Sequence, residues 1–112
     1  MAASHFNTDN LVAIVDYNKY QETGPISREM GLVSFDEKWK SFGWYVHEVD
    51  EHNINEIKEK INLCLNEKGS PSVMIAHTVK GKGVLFMKKD YTFHGRTLTE
   101  EQAEVAKREI LK

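Results

Sequence analysis

"LVAIVDYNKYQ" (residues 11–21) opens with five apolar residues, Leu11 to Val15, and stops abruptly at Asp16-Tyr17-Asn18. A short apolar run rich in β-branched residues predicts a strand, and one without polar alternation predicts a strand covered on both faces. The acid and the amide at its tip admit two readings. Asn after a strand commonly shapes a turn. A side-chain amide oxygen and a nearby backbone carbonyl are also hard ligands of the kind that Mg2+ accepts.

Two further runs have strand character: residues 44–49 (WYVHEV) and residues 73–77 (VMIAH), the latter following the breaker Gly69-Ser70-Pro71. Helical patterns lie between them. Ser34-Phe35-Asp36-Glu37 predicts a capping box, with Ser34 at the N-cap and Glu37 three residues on. Phe35, Trp39 and Phe42 then share a face, and Gly43 is a natural stop. After Asn53, Ile54, Ile57, Ile61 and Cys64 recur at helical spacing, with Gly69 beyond the end. A last helix starts at Thr99, with Gln102 completing a second capping box and Ala103, Ala106 and Ile110 as its inner stripe.

Strand, helix, strand, helix, strand, long loop, helix is the order of an α/β fold: a three-layer parallel sheet with flanking helices, wound by right-handed crossovers. Three strands are few for this class, so either the fold is unusually small or the chain is part of a larger sheet. Ligands of such sheets sit beyond the carboxyl ends of the strands. Residues 16–25 and 77–95 both start there, and they are the two long irregular stretches.

The second stretch contains "HTVKGKGVLF" (residues 77–86). Its glycines would let backbone N–H groups approach an anion, and its lysines add charge. It lacks the G-x-x-x-x-G-K-[ST] pattern of a P-loop, and a flexible loop with solvated lysines is the bland reading. "YTFHGRTL" (residues 91–98) sets His94 between Phe93 and Gly95. A histidine there suits phosphate binding or proton transfer, or a backbone-bonded structural role. His77 ends the third strand and could face a ligand. His5, His47 and His52 read as surface or packing residues. Cys64 lies on an apolar stripe and reads as an inert buried thiol, and Trp39 and Trp44 as packing at a helix-to-strand turn.

Composition narrows the classes. A chain of 112 residues predicts one domain. A formal net charge of -2, from 15 basic and 17 acidic residues, argues against a dedicated nucleic-acid binder. The single cysteine allows no internal disulfide and no CxxC metal site, which points to a reducing, cytoplasmic setting. No apolar run approaches the roughly 20 residues of a membrane span, and "MAASHFNTDN" lacks the pattern of a signal peptide.

The stretches "DNLVAIVDYNKYQETGPI", "KWKSFGWYVHEVDEHNINEI", "PSVMIAHTVKGKGVLFM" and "FHG", in this order, resemble the cofactor-binding (pyrophosphate) domain of transketolases, above all the N-terminal subunit of the two-subunit bacterial type. The resemblance covers essentially residues 1–112. It implies thiamine diphosphate and a divalent metal, Mg2+ or Ca2+, and transfer of a two-carbon ketol unit between sugar phosphates. In that family a Gly-Asp-Gly segment is followed, after an intervening helix, by an Asn. The Asp, the Asn side chain and the carbonyl two residues after the Asn hold the metal. Asn18 matches that Asn and Tyr20 the carbonyl donor. His94 matches a histidine that reaches the diphosphate and the substrate end of the site, with Gly95 after it. Lys80, Gly81, Lys82 and Gly83 match the loop leading to it. By this resemblance Asp16 is a strand-end residue and not a ligand.

The departures shape the expectation as much as the matches. Met1 to Phe6 resembles the end of the intervening helix, so the chain is expected to start partway through the domain, after the Gly-Asp-Gly segment. The upstream histidines and the pyrimidine-binding domain, which carries the activating glutamate, are also missing. "HGRTL" departs from the family's HG-small-Pro-L at Arg96 and Thr97. The resemblance thus implies a partial thiamine-diphosphate-binding domain, inactive alone and oligomeric, that needs a chain or segment supplying the missing parts. A non-catalytic remnant or interaction module docking onto transketolase-like chains is the alternative, and a deoxyxylulose-phosphate synthase-like fragment is another. Phosphate or nucleic-acid binding through KGKG is the least favoured reading.

Overall fold

The computed structural model describes residues 1–50 and 52–112. The chain divides into two compact units, one formed by Met1–Tyr17 and Leu32–Thr78, the other by Asn18–Gly31 and Val79–Lys112.

The first unit holds helix α1 (Ala2–His5) and strand β1 (Val12–Asp16). The hairpin strands β2 (Tyr20–Gln21) and β3 (Gly24–Pro25) and helix α2 (Ile26–Glu29) follow in the second unit. The chain then returns to the first unit as α3 (Phe35–Ser41), β4 (Tyr45–Asp50), α4 (Ile54–Asn66) and β5 (Ser72–His77). Helix α5 (Glu100–Ile110) closes the second unit. The sheet is parallel, in the order β1-β5-β4, as the alternation of strands and helices predicts.

β5 is the central strand. It pairs residue by residue with both neighbours, Ile14 opposite Met74 on one side and His47 opposite Met74 on the other. Residues 72 to 76 are all buried, which is why this strand carries no polar alternation. Met74 and Ala76 pack with Val49 and Cys64 into a core against which Val12, Ile57 and Ile61 also lie. Burial pushes the Cys64 thiol up from its ordinary value, as expected of an inert cysteine. Ser72 stays polar in this core because its hydroxyl donates to the Cys64 carbonyl at 3.3 Å.

The helix ends follow their local chemistry, with one exception. Asn53 Oδ1 accepts from the N–H groups of Asn55 and Glu56, both at 3.2 Å. Thr99 and Gln102 form the reciprocal capping box, at 3.2 and 3.1 Å. Ser34 precedes α3 but makes no capping bond. It sits in the left-handed region at φ 55°, where its side chain is turned from the N–H groups that it would cap. Gly43 ends α3 at φ 77°, a left-handed backbone that favours glycine, and it lies against the Ser4 side chain of α1.

Three packing expectations are corrected. β1 is an edge strand rather than a strand covered on both faces, and Ile14 is 60% exposed. Ile54 and Ile110 each stand at the end of an apolar stripe, in the first turn of α4 and at the last residue of α5, and both are mostly exposed. Residues 16–25 are also less irregular than expected, since they fold into the β2–β3 hairpin.

Burial at these positions sets the cost of truncation. Met74→Ala is expected to lower unfolding stability by about 2–5 kcal/mol, as for other buried large-to-small changes. Ile14→Ala should cost under about 1 kcal/mol, since little of the residue leaves water on folding. Urea unfolding of both variants, followed by helical circular dichroism, checks the contrast; equal losses would contradict the edge position of β1.

Candidate functional site

Asn18 starts the first segment of the second unit. Its Oδ1 accepts from the Tyr20 N–H at 2.8 Å, an Asx turn that spans Lys19 in the left-handed region at φ 70°. The hairpin register then orients Tyr20. Ile26 N–H donates to the Lys19 carbonyl at 3.0 Å, and Tyr20 pairs with Pro25, which has no N–H to offer. Tyr20 is therefore a non-hydrogen-bonded position of the antiparallel pair, and its N–H and C=O both point away from β3. The Asn18 side-chain oxygen and the Tyr20 carbonyl consequently lie along one edge of β2.

The Lys80–Gly81 loop is built by its own backbone. Lys82 N–H donates to the Val79 carbonyl, Val84 N–H to Gly81, and Lys89 N–H to Lys80 at 2.8 Å, which closes the loop on itself. Gly81 has φ 72°, and a Cβ on it would stand 2.3 Å from the Met87 carbonyl oxygen. Val84 is buried, and Leu85 N–H donates to Glu109 Oε2 on α5 at 2.7 Å. Lys80 is half-buried, while Lys82, Lys88 and Lys89 lie in the same loop, which therefore carries concentrated positive charge.

His94 follows a single 3-10 turn over Tyr91–Phe93 that Asp90 caps, accepting from the Thr92 N–H at 2.9 Å and the Thr92 hydroxyl at 2.7 Å. The Thr92 hydroxyl first, and its N–H second, hold the Asp90 carboxyl below the usual carboxylate range. His94 N–H returns to the Tyr91 carbonyl at 2.9 Å, and its ring is exposed. Gly95 has φ 72° with open space where a Cβ would sit. Arg96, one of the departures from the family pattern, lies over the Phe93 ring at 5.4 Å.

Aromatic contacts join the three segments. Tyr20 stacks on Tyr91, with ring centroids 6.4 Å apart and planes 17° apart, and Phe93 meets Phe86 edge-on at 5.6 Å. All six residues expected at the site, Asn18, Tyr20, Lys80, Gly81, His94 and Gly95, thus fall in one unit. Among the described residues no group of three or more His, Cys, Asp or Glu side chains could hold a metal ion. The hard donors on this edge are two neutral oxygens, a set that fits a share of a Mg2+ or Ca2+ shell and not the whole of it.

Sequence reasoning missed the network at the strand ends of the first unit. His77 Nε2 lies 2.5 Å from Glu48 Oε2, and Tyr17 meets His77 edge-on at 5.6 Å while stacking on Phe35 at 5.2 Å. These side chains line a cavity of about 170 Å3 with Asp36 and Ile75. Asp16 ends β1, as expected, and accepts from the Thr78 hydroxyl. Glu48 and His77 are 29 residues apart and Asp16 and Thr78 are 62 apart, so no local spacing could have signalled either pair.

Comparison with known proteins identifies the family. Residues 1–111 match the family described as transketolase, thiamine diphosphate binding domain. A 6-deoxy-6-sulfo-D-fructose transketolase subunit from Clostridium sp. strain MSTE9 is 36% identical over 112 residues, all of this chain and 41% of that protein. An apulose-4-phosphate transketolase subunit from Phocaeicola vulgatus is 36% identical over 110 residues, 98% of this chain and 39% of that protein. The chain therefore spans about two-fifths of the length of these relatives. The crystal structure of a transketolase from Campylobacter jejuni superposes with a TM-score of 0.89 at 23% identity, covering 97% of this chain and 17% of that one, which establishes the shared fold. By sequence and by fold, the chain belongs to the family of transketolase thiamine-diphosphate-binding domains.

Proposed function

We propose that this chain contributes metal and diphosphate contacts to a thiamine-diphosphate site in a transketolase-type enzyme that moves a two-carbon ketol unit between sugar phosphates. The observation that carries the reading is the Asn18–Tyr20 turn. The Asn18 amide oxygen accepts from the Tyr20 N–H at 2.8 Å, and the Tyr20 carbonyl lies along the same strand edge. Together they offer two oxygens to Mg2+ or Ca2+. Family membership and kinship with transketolase subunits support the cofactor and the reaction class.

Thiamine diphosphate, when bound, supplies the carbon nucleophile and electron sink of ketol transfer. The chain's own residues do the rest of the work assigned here. Lys80 supplies positive charge for the diphosphate, and Gly81 allows the close turn of the loop that carries it. Gly95 leaves room beside the exposed His94 imidazole, which holds or moves a proton at the substrate end.

Two neutral oxygens are a weak site for a hard dication, because ligand charge tunes affinity in such sites. A partner chain or segment therefore supplies the carboxylate of a Gly-Asp-Gly motif and the pyrimidine-binding domain, and the isolated chain does not catalyse. The exposed Ile14 on the open edge of β1 supports a partner, and it equally supports the alternative of a non-catalytic module docking onto transketolase-like chains. Activity separates the two: ketol transfer on adding a chain with the missing parts favours the enzyme, and none favours the module.

Calorimetric titration with thiamine diphosphate and Mg2+ tests the turn itself. Asn18→Ala is expected to weaken metal-dependent binding by on the order of tenfold or more, the scale of disturbed metal-site residues. Asn18→Asp keeps the acceptor for Tyr20 and adds charge, so it should bind at least as tightly as the natural chain. Identical titrations for the natural chain and Asn18→Ala would sink the assignment.

Gly81 and Gly95 offer a second contrast. Both have positive φ, which costs a residue with a Cβ about 1–2 kcal/mol, but only Gly81 would also meet the Met87 carbonyl. Gly81→Ala should therefore destabilise the fold more than Gly95→Ala in thermal unfolding; the reverse order would show that the Lys80–Gly81 loop does not close as described.

A further inference from the structure

Within the second unit, one ring contact joins two turns that carry proposed site groups. Tyr20, whose N–H closes the Asn18 turn, stacks on Tyr91 with ring centroids 6.4 Å apart and planes at 17°. That separation lies within the range at which aromatic rings attract one another. Tyr91 opens the 3-10 turn that leads to His94, and its carbonyl accepts from the His94 N–H at 2.9 Å. Such a turn rises about 2 Å per residue, so the His94 backbone stands only about 6 Å along the chain axis from the stacked residue. Two side-chain torsions separate each ring from its own backbone, which makes the stack a short, stiff link between the turns. Tyr91 is itself held from several directions. Asp90 caps its turn, and the turn packs on β3. Its phenol meets Arg28 of α2, whose guanidinium is held above its ordinary value by Glu29 first and by Tyr91 more weakly. Arg28 in turn donates to the Thr23 carbonyl, between β2 and β3, at 2.5 Å. Tyr20 and Tyr91 are both half-buried and neither belongs to the buried core around Met74, so their stack serves the turns and not the core.

We propose that Tyr91 is a positioning residue, whose ring fixes the Asn18–Tyr20 turn relative to the His94 turn. Tyr91 acts through Tyr20 and His94 and is itself neither a ligand nor a proton carrier. What the two turns bind rests on the proposed function, whereas the coupling between them does not. The family pattern gives roles to Asn18, Tyr20 and His94; the ring contact adds one for Tyr91.

Amide hydrogen exchange by NMR on the full chain tests the coupling. Tyr20 N–H, bonded to Asn18 Oδ1, and His94 N–H, bonded to the Tyr91 carbonyl, report on the two turns. Val84 N–H, bonded to the Gly81 carbonyl, and Gln102 N–H, bonded to Thr99 Oγ1, report on the rest of the unit. Tyr91→Leu removes the ring and keeps an apolar side chain. It is expected to cost Tyr20 and His94 roughly threefold to tenfold in protection, the scale of one aromatic pair, and to leave Val84 and Gln102 as they were. Tyr91→Phe keeps the ring without the hydroxyl and should match the natural chain. Tyr20→Leu removes the other ring and should release His94 N–H from across the stack, an effect that a purely local role for either tyrosine does not produce; it also carries the test if Tyr91→Leu does not fold. A uniform loss at all four amides, an unchanged His94 N–H in Tyr20→Leu, or Tyr91→Phe behaving like Tyr91→Leu would each overturn the positioning role. Titration with thiamine diphosphate and Mg2+ is a separate readout. Coupled amides in a chain whose titrations ignore Asn18→Ala would discard the proposed function and leave the coupling standing. Titrations that respond to Asn18→Ala, with His94 N–H indifferent to Tyr20→Leu, would do the opposite.

Discussion

The burial of β5 is the constraint on which the sheet depends. A strand paired on both sides and covered on both faces has nowhere to place a polar side chain without a partner. Ser72 is the one polar residue in its buried stretch, and it satisfies itself on the Cys64 carbonyl. Because β5 pairs in parallel with both neighbours, all three strands direct their carboxyl ends to the same side of the sheet. Chain leaving those ends supplies every residue of the candidate site. The strand order thus decides where chemistry can be built before any catalytic side chain is considered.

Local backbone logic then does most of the shaping. The hairpin register turns the Tyr20 carbonyl away from β3, and the Asn18 amide oxygen accepts from the Tyr20 N–H. One side chain thereby shapes the turn and presents an oxygen at it. The two readings of Asn18 available from the sequence, turn residue and metal ligand, are therefore compatible. Glycine at 81 works the same way, since its φ and the nearness of Met87 leave no room for any other side chain.

What could be read from the sequence was local. Asn53 and Thr99 cap their helices because the acceptor and the N–H groups that it serves lie within three residues. Ser34 shows the limit of the same rule: the right residue types are present, but a left-handed backbone at φ 55° breaks the geometry. Apolar periodicity located the inner faces of α4 and α5 but overran them at Ile54 and Ile110, because periodicity marks a direction and not the extent of whatever packs against it. The site residues were identified by resemblance to a family and not by spacing. The pairs at the strand ends of the first unit, Glu48 with His77 and Asp16 with Thr78, are set by strand register and have no sequence signature.

The two edges of the sheet differ in a way that bears on partners. β4 presents Tyr45, Glu48 and Asp50 to solvent, and carboxylates on an edge discourage further pairing. β1 presents Ile14, with Leu11 exposed just before it, and its charge is confined to Asp16 at its last residue. β1 carries no lysine or proline, and an exposed isoleucine stands at mid-strand, so its edge is less protected against pairing than that of β4. The β1 side is therefore the side of this sheet on which a further strand would pair.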